Sequence, residues 1–149
     1  FVSAMFLGDV DAMNEYMNRV ALQTFSYFDT GKRAFGAEPE RFYHGFVLGL
    51  LVDLQERYYL RSNRESGFGR YDVMLEPKDP KDVAVILEFK VRNKRRETSL
   101  EETAEAALKQ IQERKYDVEL KQKGIDDDQI REYGFAFEGK TVLIIDSLE

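Results

Sequence analysis

The 149-residue sequence contains no cysteine and only one histidine. The absence of cysteine excludes disulfides, metal sites built on thiolates and a cysteine nucleophile. The sequence also shows neither the glycine-rich loop that binds nucleotide phosphates nor the serine elbow motif of hydrolases. These absences disfavour the enzyme classes that depend on such groups.

Long hydrophobic runs are missing as well. No apolar stretch approaches the roughly 20 residues that a helix needs to span a bilayer, and no signal peptide is visible. Apolar residues make up 43% of the chain and charged residues 34%, which is ordinary for a soluble globular protein. The sequence therefore predicts one domain without membrane segments, and the lack of cysteine fits a cytoplasmic location.

The chain carries an excess of acidic residues, with a net charge of −6. This charge argues against a protein that coats nucleic acid by bulk electrostatic attraction. The net charge remains compatible with an enzyme that binds phosphates locally through a few lysines and arginines.

The most informative stretch covers residues 69–91, where two apolar runs flank the polar connection EPKDPKD. This pattern predicts two β-strands joined as an antiparallel hairpin. If the register is symmetric about the connection, Asp72 lies opposite Glu88, with Cβ atoms about 4.5–5.5 Å apart. Lys90, two residues after Glu88, projects from the same face of its strand.

Two opposed carboxylates in a buried hairpin need compensation, because an unpaired buried carboxylate is strongly unfavourable. One interpretation is a salt bridge from Glu88 to Lys90 or to a nearby arginine. The other is a hard divalent cation held by the oxygens of Asp72 and Glu88, with a lysine beside it. The residues alone leave both interpretations open.

The N-terminal part predicts an amphipathic helix over residues 9–25, with Asp9 as its N-cap and Met13 and Met17 in its apolar stripe. The stripe either packs in the core of this domain or contacts another domain. The chain begins at Phe1, without methionine and already inside an apolar pattern. We therefore expect the sequence to be the C-terminal part of a longer protein.

A second helix is predicted from Pro39, which suits a first helical turn, to about Arg57. Gly45 and Gly49 are four residues apart on one face of this helix, so we expect them to let another backbone approach closely, with that of the sheet as the first candidate. His44, the only histidine, is either a general base or a structural residue of the helix.

Basic residues surround the hairpin. Arg70 shares the strand face of Asp72, where it either neutralises that carboxylate or contacts a phosphate. From Lys90 onward, five of seven residues are basic. Most such runs form solvated loops, but this one directly follows the paired carboxylates. A second interpretation is therefore that Arg92 and Lys94 bind a nucleic-acid backbone.

The C-terminal part predicts a third helix, a short helical turn and two more strands. Ser99 opens a capping-box pattern that starts the helix, and Gly124 suits a cap at the end of the helix or of its continuation. The segments YGFAF and TVLIID predict strands joined by the turn EGK. With a first strand over residues 58–64, the predicted order is a helix followed by α-β-β-β-α-β-β.

The order Asp72, fifteen intervening residues and then Glu88-Phe89-Lys90 resembles the signature of the PD-(D/E)XK nuclease superfamily. Four blocks extend the resemblance over about three quarters of the chain, namely FYHGFVLGLL, SNRESGFGRYDVML, VILEFKV and ALKQIQERKY. Together they are similar to a bacterial and archaeal subgroup that is often fused behind an AAA-ATPase-like domain. Tyr71 occupies the place where the superfamily often has a proline, and this common substitution does not touch the chemistry.

The resemblance implies an α/β fold with a restriction-endonuclease-like core, in which a mixed β-sheet is flanked by helices and preceded by an extra N-terminal helix. It implies a helical junction over residues 1–34, leading to an upstream ATPase-like domain of the same chain, and a nuclease-like domain over residues 35–149. The implied activity is hydrolysis of nucleic acid, with DNA as the expected substrate, using Mg²⁺ or Mn²⁺. The alternative is a catalytically silent interaction or regulatory module that serves the upstream domain.

The resemblance also assigns roles to residues. Asp72 and Glu88 match the metal ligands, with the Phe89 carbonyl as a further ligand. Lys90 matches the lysine that orients or deprotonates the attacking water or neutralises the phosphate. Glu40 matches an acid of the first helix that binds metal directly or through water, although the helix dipole alone also favours a glutamate in the first turn.

A glutamine on the helix after the hairpin borders the active site in the family, and Gln110 is the match. Gln112 is a second candidate, because it forms the pattern Q-x-x-x-Y with Tyr116, a motif of some related nucleases. Each glutamine has the alternative of being an ordinary residue on the helix surface.

Overall fold

The structure is a computed structural model that describes residues 1–28, 39–65 and 70–147, without the side chains of residues 25–28, 39–41, 64, 65, 70 and 71. The helices are α1 (Val2–Leu7), α2 (Val10–Phe28), α3 (Pro39–Leu51), α4 (Leu100–Glu113) and α5 (Tyr116–Gln122). The strands are β1 (Tyr58–Glu65), β2 (Arg70–Pro77), β3 (Ala84–Val91), β4 (Ile130–Glu138) and β5 (Thr141–Asp146). Short 3-10 helices cover Val52–Glu56 and Asp127–Gln129. Across these described ranges, no helix is both long and apolar enough to cross a membrane.

The five strands form one sheet in the order β1-β2-β3-β4-β5. Neighbouring strands are antiparallel except β3 and β4, which run parallel and are connected through α4 and α5. This mixed sheet with helices on both faces confirms the expected α/β, restriction-endonuclease-like architecture. Asp72 of β2 pairs with Glu88 of β3, so the register predicted from the sequence is also confirmed.

One face of the sheet packs against α1, α2 and α3. Strand residues such as Leu87, Phe89 and Phe135 are fully buried there. Met13 and Met17 of α2 are fully buried in the same core. Of the two interpretations of the methionine stripe, packing in the core of this domain is therefore confirmed. The assignment of residues 1–34 to a junction with another domain stays a prediction.

Two asparagines of α2 cover the outer edge of β5. The side-chain amide of Asn14 donates to the Ile144 carbonyl and accepts from the Ile144 N–H, both at 2.8 Å. Asn18, one turn later, makes the same two hydrogen bonds with Val142, at 2.7 and 2.9 Å. Each amide takes the place of a neighbouring strand, so these edge groups of the sheet have hydrogen-bond partners.

The opposite face of the sheet packs against α4 and α5 around Ile86, Ile111 and Leu120. Gly134 of β4 allows α4 to come close, because a Cβ built at this position would lie 2.4 Å from the Ala104 carbonyl oxygen. The backbone of α4 therefore lies directly on the sheet. This is the face that carries the candidate site.

The packing of α3 differs from the prediction. Its buried residues Tyr43, Val47 and Leu51 are four apart and face the sheet. Gly45 and Gly49 lie about half a turn away from them. Apart from the adjacent residues and the backbone of α3 itself, no atom of the described residues comes within 4 Å of a Cβ built on either glycine. The expectation that these glycines let the sheet approach is therefore wrong.

Helix boundaries also differ from the prediction. The second helix, expected to reach Arg57, changes into a 3-10 helix at Val52, directly after its last fully buried residue. The short helix α1 was not predicted, because six residues are too few to establish a periodic pattern. The third helix ends at Glu113, and Lys115 adopts a left-handed conformation with φ of 54°. α5 begins directly after this break, at Tyr116.

Candidate active site

The residues of the predicted triad lie on one face of the sheet, the face covered by α4 and α5. Ala84 and Ile86 of β3 pack under these helices, and side chains alternate along a strand. Glu88 and Lys90 therefore project to the same side, and Asp72 is the direct partner of Glu88. The hairpin thus brings the two carboxylates and the lysine together, as the sequence predicts.

Asp72 is 5% exposed and makes hydrogen bonds through both oxygens. Oδ1 accepts from the Asn63 N–H at 3.2 Å, and Oδ2 accepts from Arg114 Nη1 at 3.0 Å and from the Tyr116 hydroxyl at 2.6 Å. The Arg114 guanidinium supplies the positive charge that this buried carboxylate needs. Burial, followed by the hydrogen bond to Asp72, raises the pKa of Tyr116, so the phenol stays protonated and donates.

Glu88 is the more deeply buried of the two carboxylates, with 1% exposure. On β4 its register partner is Gly134, the residue that brings the α4 backbone down onto the sheet. Glu88 therefore lies between Asp72 on one side and the covered strand β4 on the other.

Lys90 forms an ion pair that the sequence analysis did not predict. Its ammonium lies 2.7 Å from Glu97 Oε2, and the other Glu97 oxygen accepts from the Asn93 N–H at 2.7 Å. Burial alone would raise the pKa of Glu97, but the hydrogen bonds from Lys90 and Asn93 outweigh burial and the pKa is lowered. The acid is thus ionised at neutral pH and holds the Lys90 ammonium in an ion pair.

The two basic residues after β3 differ in their surroundings. Arg92 donates to the Glu138 carboxylate at 2.7 Å and to the backbone carbonyls of Glu97 and Thr98 at 3.1–3.3 Å. It therefore ties the loop after β3 to β4. Lys94 is exposed in that loop. A contact of either residue with nucleic acid stays a prediction.

The two candidate glutamines lie on different sides of α4. Helical spacing places Gln110 on the same side as Thr103 and Arg114, which reach Glu97 and Asp72 respectively. Gln112 instead lines a separate cavity of about 320 Å³. The geometry therefore favours Gln110 as the glutamine that borders the carboxylates. In the Q-x-x-x-Y pattern, Tyr116 is the residue that reaches the site.

Three further candidates do not contribute described side chains to this face. The side chains of Glu40, in the first turn of α3, and Arg70, at the start of β2, lie outside the described residues. His44 Nε2 lies 2.7 Å from the Ser62 hydroxyl, and its ring packs edge-on against Phe89. Because Phe89 belongs to the other face of the sheet, His44 has a structural environment, and a general-base role at Asp72 is not supported.

The candidate ligands for a metal ion on this face are the carboxylates of Asp72 and Glu88. The described part of the chain contains no group of three His, Cys, Asp or Glu side chains that could hold one. Asp72 and Glu88 nevertheless provide two carboxylates, and Mg²⁺ is usually bound by one or two carboxylates together with waters and substrate phosphates. The pair therefore fits such an ion chemically. Binding through Asp72 Oδ2 would compete with the contacts from Arg114 and Tyr116.

Sequence reasoning missed Arg114, Glu97 and the contact made by Tyr116. Arg114 and Tyr116 are 42 and 44 residues away from Asp72, and no local pattern links them to the hairpin. A signal did exist for Tyr116, because the Q-x-x-x-Y pattern singled it out.

A family model described as the PD-(D/E)XK nuclease superfamily matches residues 38–147. No curated protein and no solved structure matches the chain.

Proposed function

Because the chain belongs to the PD-(D/E)XK nuclease superfamily, we propose that it is a metal-dependent nuclease that hydrolyses phosphodiester bonds of nucleic acid, with DNA as the substrate. The observation that carries this proposal is the pairing of Asp72 with Glu88 on the sheet face that also bears Lys90. These residue types at this register match the family signature. Two further proposals rest on the sequence alone: an upstream ATPase-like domain, which the resemblance implies, and a cytoplasmic location, which the absence of cysteine fits.

The metal in this proposal is Mg²⁺ or Mn²⁺, held by Asp72 and Glu88 with the Phe89 carbonyl and Glu40 as further ligands. When bound, such an ion lowers the pKa of a coordinated water and stabilises charge on the phosphate. Deep burial of Glu88 supports the proposal, because a metal interaction is stronger where water is excluded.

The remaining residues orient the substrate and the water. Lys90 is held by Glu97 at 2.7 Å, so its ammonium has a defined position from which to neutralise a phosphate or orient a water. Gln110, on the inner side of α4, borders the same space. Arg70, Arg92 and Lys94 would contact the nucleic-acid backbone.

A second candidate function is a catalytically silent nuclease-fold module that serves an upstream ATPase-like domain. The observation that favours it is the set of three hydrogen bonds to Asp72, from Asn63, Arg114 and Tyr116. A carboxylate so well satisfied within the protein can be purely structural.

The experiment is a cleavage assay on supercoiled DNA, single-stranded DNA and RNA, with Mg²⁺ or Mn²⁺ or with a chelator. The variants are Asp72→Asn, Glu88→Gln and Lys90→Met. Glu132→Gln is the matched control, because it makes the same change as Glu88→Gln at a partly buried glutamate of β4.

We expect metal-dependent cleavage by the parent and by Glu132→Gln, and a loss of at least about 100-fold in the three site variants, comparable to removing one group that stabilises the transition state. Cleavage that persists in Asp72→Asn and Glu88→Gln would contradict the proposal. A folded parent that cleaves none of the substrates would favour the silent module.

A further inference from the structure

A cavity of about 600 Å³ opens at the β1 edge of the sheet, away from the paired carboxylates. Its volume lies within the range of about 300–1,000 Å³ that is typical of small-molecule sites. Its wall includes an aromatic residue and four charged ones, namely Tyr59, Arg61, Glu76, Lys78 and Lys123. None of them belongs to the family signature.

Tyr59 is the aromatic surface of this cavity. The residue is 55% exposed, although it lies in a strand, where a large aromatic side chain is usually covered. Lys78 Nζ lies 5.2 Å from the centre of the ring, a cation–π distance. Sites for single-stranded nucleic acid combine exposed aromatic rings with positive charge, and Lys78 lies over this ring.

Arg61 and Lys123 are two further cations of the cavity wall. Arg61 contacts Glu119 at 2.6 Å and Glu76 at 3.3 Å, and Lys123 contacts the same two glutamates. The side chains of Arg61 and Lys123 are 42% and 43% exposed. They are thus held in place from beneath by Glu76 while their outer parts face solvent.

The charge of the cavity has the opposite sign to that of the whole chain. Arg61, Lys78 and Lys123 carry three positive charges, and Glu76 and Glu119 carry two negative ones. A guanidinium has five N–H donors, and the two glutamates occupy one each on Nη1 and Nη2 of Arg61. Donors therefore remain for a phosphate, in a protein whose net charge is −6.

The cavity is aligned with the proposed active site. Glu76 and Asp72 project from the same face of β2, four residues apart, which is about 13 Å along a strand. On the antiparallel strand β1, the register partners of Asp72, Met74 and Glu76 are Asn63, Arg61 and Tyr59. A nucleic-acid strand with a phosphodiester bond at Asp72 can therefore follow these β1 side chains to the cavity.

We propose that this cavity binds one unpaired nucleotide of a single-stranded nucleic-acid substrate. The base stacks on Tyr59, and its phosphate is held by Arg61, Lys78 and Lys123. The inference rests on the proposed nuclease function and narrows its substrate to single strands, since a base in a duplex is not free to stack on a side chain.

The test measures binding by fluorescence anisotropy of a labelled 12-nucleotide oligothymidylate, in EDTA so that metal-dependent cleavage does not occur. A labelled duplex of the same length is the second ligand. The variants are Tyr59→Ala, Tyr59→Phe and Lys78→Ala. Lys109→Ala is the control, because its side chain is 74% exposed on α4 and lies outside the cavity wall.

We expect Tyr59→Ala to weaken single-strand binding by about 5- to 150-fold, the range for one stacked base. Tyr59→Phe retains the ring and should keep most of the affinity. Lys78→Ala should weaken binding and lower the slope of log affinity against log salt by about 1, whereas Lys109→Ala should stay within about twofold of the parent.

The inference is overturned if Tyr59→Ala binds the single strand as tightly as the parent, or if the duplex binds better than the single strand. Cleavage by the same samples in Mg²⁺ separates this result from the nuclease proposal. If the parent cleaves and Tyr59→Ala is unchanged in both assays, the proposal for the cavity is wrong and the nuclease proposal stands. If the parent binds through Tyr59 but does not cleave, the proposal for the cavity is supported and the nuclease proposal is contradicted.

Discussion

Replacing Tyr116 by Phe removes one hydroxyl from the contacts of Asp72 and leaves the shape of the side chain unchanged. The lost hydrogen bond is 2.6 Å long and ends on a carboxylate that is 5% exposed. Hydrogen bonds to charged groups contribute about 1.5–3 kcal/mol. We therefore expect Tyr116→Phe to lower the free energy of unfolding by this amount at pH 7, equivalent to a fall of about 3–12 °C in Tm.

The measurement is urea denaturation followed by circular dichroism, with the same substitution at Tyr59 as the control. Tyr59 is 55% exposed, so Tyr59→Phe should change stability by no more than about 0.5 kcal/mol. If both variants are equally stable and show the parent's m value, the contact between Tyr116 and Asp72 does not stabilise the fold. The explanation of how the buried carboxylate is satisfied would then be refuted.

Four other substitutions test the packing and the charges. Gly134→Ala should destabilise the fold by about 1–3 kcal/mol or more, because the added Cβ would meet backbone of α4 at 2.4 Å, whereas Gly45→Ala on the open side of α3 should stabilise it by about 0.4–1 kcal/mol. Asn14→Ala should cost about 1–3 kcal/mol, since the edge-strand N–H and C=O of Ile144 lose their partner. Burial and two nearby aspartates raise the pKa of Glu132, so ionisation opposes folding above the unfolded pKa of about 4.3. Glu132→Gln should therefore be more stable than the parent at pH 7, and this gain in stability should shrink as the pH falls toward 4. All four variants are compared with the parent by urea denaturation. A gain for Glu132→Gln that grows at low pH would contradict the upward direction of the pKa shift.

The part of the site that lies within one hairpin could be predicted from the sequence. A symmetric connection fixes the register, so Asp72 opposes Glu88 and Lys90 shares the face of Glu88. The alternation of side chains along a strand is a local rule and needs no knowledge of the rest of the fold.

The contacts that complete the site could not be predicted, because they join distant parts of the chain. Arg114 directly follows α4 and Tyr116 begins α5, on either side of the break at Lys115, and both reach Asp72. Similarly, Asn14 binds a strand 130 residues away, and no residue near it in the sequence indicates this role. Such contacts depend on how the elements pack.

The error at Gly45 has a different origin. The apolar residues of α3 already define which side faces the sheet, and Tyr43 and Val47 are both half a turn from this glycine. Counting the helical positions relative to these two residues would have placed Gly45 in solvent.

The most direct test of the central claim is a calorimetric titration with Mn²⁺ of the parent, Asp72→Asn, Glu88→Gln and the control Glu132→Gln. The account predicts that the parent and Glu132→Gln bind the ion and that the two site variants lose this binding while remaining folded. A folded parent that binds no Mn²⁺, or binding that survives in both site variants, would contradict the claim that Asp72 and Glu88 form a metal site.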